Sequence, residues 1–196
     1  IPCAFVVDQE GRIAWVGHPM RMDEPLARII DEKWDVEKAR SDFERAELSK
    51  QMMRQVSMSM REGQKSGDYT DTIKTIDRAM QQLPGNPDLE MMKFRLLVGP
   101  VGDPSGYELG WDLFKANRDN AMMLNSLAWY VLDDNSVENR DLDFAMAVAK
   151  RANEASGGSD AAILDTLARA YFDKGDVDTA IKYQKKAIDK AEGPMV

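Results

Sequence analysis

The chain has 196 residues, of which 34 are acidic and 26 basic, for a net charge of −8, and it contains one Cys and one His. That charge balance is poor for nucleic-acid binding, which draws on Lys and Arg to neutralise phosphates, and no stretch approaches the roughly 20 apolar residues of a membrane span. One Cys makes neither an internal disulfide nor a Cys-x-x-Cys centre, one Cys with one His makes no usual zinc site, and no cofactor is expected.

Residues 1–34 differ from the rest. Cys3 to Val7 is a short run of β-formers, with Cys3, Phe5 and Val7 on one face and Ala4 and Val6 on the other. Asp8-Gln9-Glu10-Gly11 suits a type I turn, and Arg12 to Gly17 reads as a second strand, so the two form a β-hairpin. Asp23 is the expected N-cap of a helix over about residues 24–33, with Pro25 in its first turn. Strands apolar on both faces are normally covered on both sides of a larger sheet, and an isolated hairpin is marginal. The segment therefore reads as the tail of a truncated α/β domain. The start at Ile1-Pro2, without Met, suggests a processed product or a fragment. The orphan hairpin is expected to dock on the helices, pair with a second copy, or be poorly ordered.

The run from Ile1 to Pro19, with its Asp-x-x-Gly turn and second strand ending at Gly17, resembles the C-terminal end of a thioredoxin-like domain. It is most similar to the membrane-associated or periplasmic redoxin (TlpA-type) branch. The resemblance implies that Pro2 stands at the family's cis-proline position, opposite a Cys-x-x-Cys centre that would lie upstream. It makes Cys3 a redox-adjacent thiol, against the plainer reading of a small buried strand residue. It also favours the periplasm or cell envelope.

Over residues 35–66, Val36, Ala39, Phe43 and Ala46, then Met53, Val56 and Met60, recur at helical spacing. About 30 residues without a break would span roughly 45 Å. Lys50 and Ser57 interrupt a strict heptad, so a linking helix over 35–52 is preferred to a coiled coil.

From residue 67 an internal period emerges. Gly67-Asp68 aligns with Gly175-Asp176, Ile73 with Ile181, Ala79 with Ala187, and Pro84 or Pro87 with Pro194. Leu164, Leu167, Ala168 and Tyr171 share one helix face upstream of the second copy. A degenerate copy uses Leu124, Leu127, Ala128 and Val131, then Ala145 and Ala152, across an acidic insert from Asp133 to Asp143. Another runs from Asp88 to Leu97, through a Gly/Pro loop, to Tyr107–Asn117, with Gly110 and Phe114 in its second helix. The pattern resembles the tetratricopeptide repeat, with Leu167-Ala168 at its large–small pair and Ala180 and Ala187 at its small packing positions. The expected fold is mostly α. About four helix pairs form a superhelix over 53–196, preceded by the β-hairpin and helix left from the thioredoxin-like domain.

Candidate chemistry is sparse. His18 sits in a loop with no nucleophile around it. The acidic insert lacks calcium-loop spacing and reads as a solvated loop. The helical Met residues at stripe positions read as core. Asn125, Trp129, Asp165, Arg169 and Phe172 fall off the core positions on the first helices of two repeats. The repeat resemblance places that face in a concave groove that takes peptides. The leading expectation is a non-catalytic, protein-binding region of a redox protein, with self-association through the hairpin as a further possibility. The alternative is part of an active thiol–disulfide oxidoreductase or peroxidase whose Cys-x-x-Cys lies upstream.

Overall fold

The structure, a computed structural model, describes residues 2–192. The Ile1–Pro2 peptide bond and Pro194 lie outside the described residues. The chain is mostly helical, with a two-stranded antiparallel sheet near its N-terminus. It divides into two units, Ile1–Arg61 and Glu62–Val196.

In the first unit β1 (Ala4–Val7) pairs with β2 (Ile13–Gly17), with Phe5 opposite Val16 and Val6 opposite Trp15. The turn forms as its residues require. The Gly11 amide donates to the Asp8 carbonyl at 3.1 Å. The Asp8 carboxylate accepts from the Glu10 and Arg12 amides at 3.0 and 2.9 Å. Gly11 sits at φ +79°, which glycine adopts without strain. A register shift follows at Val6/Val7.

Only one face of this sheet is covered. Val6 and Ala14 are buried, and the Trp34 indole donates to the Ala14 carbonyl at 2.8 Å. Phe5, Val7 and Ile13 stay exposed on the other. The hairpin is thus covered on one face, with Trp34 as its hydrogen-bonded neighbour. Cys3 precedes β1 and is exposed, so its reading as a buried strand residue is corrected. His18 is engaged locally, since its Nδ1 accepts from the Met20 amide at 3.3 Å and caps the short turn Pro19–Arg21.

Helix α1 (Asp23–Ile30) begins one residue before the expected start, with Met22 rather than Asp23 at the cap position. It also stops short of Lys33, because Glu32 turns left-handed at φ +57° and the Lys33 amide returns to the Arg28 carbonyl at 2.9 Å. The α2 helix (Val36–Ser66) is a single 31-residue element, opened by the Asp35 carboxylate accepting from the Lys38 amide at 2.9 Å.

The second unit holds α3 (Thr70–Gln82), α4 (Pro87–Leu96), α5 (Gly106–Ala116), α6 (Ala121–Asp133), α7 (Leu142–Ala155), α8 (Ala161–Asp173) and α9 (Val177–Glu192). Neighbouring helices pack in two runs, α3 on α4 on α5 and α6 on α7 on α8 on α9, with α6 also against α8; α5 joins the second run through α7. The shared core includes Phe94, Leu127, Val131, Phe144, Val148 and Leu167, all at most 1% exposed. Ala145, Ala149 and Ala152 are fully buried, so these helices approach closely. The stripe residues Met53 and Met60 are half-buried rather than core, Met52 beside them is buried, and Met58 and Met122 are exposed.

The acidic insert is exposed at Asp133, Glu138 and Asp143, as its composition suggests, but it is also tied to the helices around it. Val137 is 3% exposed. The Arg140 guanidinium donates to the carbonyls of Leu132, Asp134 and Val137. The Tyr107 hydroxyl donates to the Asn139 carbonyl and accepts from the Asp141 amide, both at 3.0 Å. Three of its carboxylates are also engaged. Asp141 caps α7 by accepting from the Phe144 amide, Asp143 pairs with Lys174 at 2.6 Å, and Asp134 accepts from the Ser136 amide and hydroxyl.

These bonds have a pH consequence. The Ser136 donors hold the Asp134 carboxyl below the usual carboxylate range. A depressed pKa in the folded state adds stability above the unfolded pKa of about 4, and that stability is lost as pH falls through the folded value. Asp103, held low by the Ser105 amide and hydroxyl, behaves alike. Urea midpoints measured from pH 5 to pH 3 should fall, and fall less steeply in Asp134→Asn than in the wild type.

Candidate functional site

Three helices place the candidate residues. The side chains of Asn120, Asp160 and Asp176 accept from the amides of Met123, Ile163 and Thr179, so each carboxylate or amide oxygen caps the start of α6, α8 or α9. Gly175, at φ +84°, closes α8 and turns the chain into α9. The rings of Tyr171 and Tyr183 stack across that hairpin, 5.4 Å apart and 8° from parallel.

Between these helices lies a pocket of about 310 Å³. Ala168 and Ala180, 3% and 6% exposed, are the small residues in its lining. Trp129, Phe172 and Ile181 supply apolar surface at 38%, 59% and 48% exposure. Asp165 and Arg169 bring to four the lining residues taken from the sequence.

The polar members are already engaged. Asp165 accepts from the Gln184 amide nitrogen at 2.7 Å, which ties α8 to α9. The Arg169 Nε contacts both Asp173 oxygens at 3.0 Å. Its Nη2 donates to the Leu132 carbonyl at 3.3 Å, and Nη1 lies 3.7 Å from Asp133. A cation at the C-terminal end of α6 is favourable to that helix. Arg169 therefore joins α8 to α6, and the surface open to a ligand is mainly the indole, the phenyl ring and the Ile181 side chain.

Asn125 stands apart from the pocket lining. Its Oδ1 is buried without a hydrogen-bond partner, an uncommon state for a polar atom. Ile181 and Gln184 are the members sequence reasoning missed. Both lie on the second helix of the hairpin, whereas the repeat pattern pointed to first helices alone.

Among the described residues, no group of three or more His, Cys, Asp or Glu side chains is placed to hold a metal ion. No described helix is long and apolar enough to cross a membrane. Pro2 and Cys3 both line a separate cleft in the first unit.

The chain was compared with protein-family models and with curated proteins. It matches none of them. A functional reading therefore rests on the residues themselves.

Proposed function

We propose that the helical unit is a tetratricopeptide-like array that binds a segment of another protein without catalysing a reaction. In this reading it serves a thioredoxin-like redox protein, to which residues 1–34 also belong. Three features support the repeat assignment: consecutive packing from α6 to α9, alanines at the close approaches, and a glycine turn between α8 and α9.

The observation that carries the binding reading is the pocket. Four of the five residues chosen from the sequence, Trp129, Asp165, Arg169 and Phe172, line one concavity there. Its exposed surface is an indole and a phenyl ring over alanines, and large aromatic anchors dominate the energetics of protein interfaces. A bound segment would place an apolar side chain between them.

The test is a double substitution, Trp129→Ala with Phe172→Ala. Both side chains are more than a third exposed, so the fold should persist by circular dichroism. Loss of two interface anchors should weaken capture of a partner at least tenfold, since hot-spot truncation costs about 2 kcal/mol or more. Arg169 is a poorer probe, because its removal unties α8 from α6. An unchanged affinity in the double variant would defeat the reading.

A further inference from the structure

The first half of α2 carries an apolar stripe with nothing on it. From Glu37 to Glu47 only Ala39 is even half-buried. Yet Val36, Ala39, Phe43 and Ala46 recur there at spacings of three and four, and Phe43 is 44% exposed. Ala39, Phe43 and Ala46 face a cleft of about 1030 Å³, whose other lining includes Trp15, Val16 and Trp34. An α-helix about 10 Å across occupies roughly 820 Å³ in two turns, so the cleft has room for one.

We propose that α2 of a second copy fills this cleft, the two helices running antiparallel about a two-fold axis near residues 44–45. Size and charge select that occupant and that direction. In this register Phe43 lies against Ala46 of the partner subunit, a large side chain over a small one. With Val36, Ala39, Phe43 and Ala46 as the seam, Arg40 and Glu47 flank one side, and Asp42 and Ser49 flank the other. Antiparallel pairing brings Arg40 beside Glu47 of the partner subunit, twice by symmetry. Parallel pairing would instead set Asp42 beside Glu47 of the partner subunit, a like-charge contact. Arg40 bonds Glu44 through Nε at 2.9 Å, which leaves its terminal nitrogens for an incoming carboxylate. Such a pairing is isologous and closes on itself as a dimer.

Lys50, the residue that breaks the heptad, falls opposite Ala39 of the partner subunit. Its stem can lie over the methyl while its ammonium stays with Glu47, which it already contacts at 2.5 Å.

Sedimentation equilibrium on the full chain between about 1 and 100 µM tests the proposal. The wild type should fit a monomer–dimer equilibrium. Phe43→Glu should raise the dissociation constant at least tenfold with an unchanged circular dichroism spectrum. Arg40→Glu should also weaken the dimer, and adding Glu47→Arg should restore it. A wild type that stays monomeric throughout would overturn the proposal, as would a dimer indifferent to Phe43→Glu. A dimer sensitive to Phe43→Glu but not restored by the charge exchange would overturn the antiparallel register.

Discussion

Replacing Phe144 by alanine is expected to lower the stability of the helical unit by about 3–5 kcal/mol, the usual range for a large aromatic removed from a core. Phe144 is fully buried on α7. Its ring lies 5.0 Å from that of Trp111 on α5, 5.5 Å from Tyr107 on α5 and 5.9 Å from Phe94 on α4. The Trp111 and Tyr107 rings meet it at 89° and 64°, the edge-to-face geometry that aromatic quadrupoles favour. One ring thus joins α4, α5 and α7. A urea unfolding curve with a midpoint close to that of the wild type would contradict this.

The second large effect is expected from an added methyl group. Gly110 lies on α5 directly under two of these rings. A Cβ there would sit 2.7 Å from the Phe94 ring and 2.8 Å from the Phe144 ring, where carbon atoms do not come. Gly110→Ala gains helix propensity, worth up to about 1 kcal/mol in a free helix. Overpacking a core costs about 1–3 kcal/mol, so the clash wins and the substitution destabilises. The cause is checkable by a double-mutant cycle. Phe144→Leu removes part of the obstructing ring, so Gly110→Ala should cost less in that background, with a coupling of about 0.5 kcal/mol or more. Strict additivity would place the cost elsewhere.

The fold was legible in the sequence where structure is local. The turn from Asp8 to Gly11, the unbroken α2 and the helices around Leu124–Val131 and Leu164–Tyr171 follow from spacing and turn chemistry alone. Gly110 could be placed on a helix as a small packing residue, but its reason depends on two rings from other helices.

The insert from Asp133 to Asp143 shows most clearly what sequence reading leaves out. Its composition is that of a solvated loop. It is ordered by Tyr107, more than 30 residues earlier in the chain, and by Arg140, which gathers three carbonyls. Neither contact leaves a periodic signal. The hairpin shows a similar gap. Alternation predicted two apolar faces, but only the tertiary structure shows that Trp34 helps cover one and that Phe5, Val7 and Ile13 remain open.

The site was partly legible for a related reason. Helical spacing placed Trp129, Asp165, Arg169 and Phe172 off the core, and these four line one pocket. Spacing does not reveal what a polar side chain bonds. Arg169 and Asp165 proved to be ties within the array, while Asn125 lies outside the lining. The surface left open at the site is thereby mainly apolar. Residues 67–196 hold 22 acidic and 15 basic side chains, so under the proposed function a partner is expected to carry basic residues around its apolar anchor.

The central claim is that the α8–α9 pocket is where a protein partner sits. Site-specific photo-crosslinking tests it most directly. A photoreactive residue at position 172 should capture one discrete polypeptide, competed away by unlabelled wild-type protein but not by the Trp129→Ala, Phe172→Ala variant. The same probe at position 112, on the exposed surface of α5, should capture none. Equal capture at both positions, or competition by the double variant as effective as by the wild type, would contradict the claim.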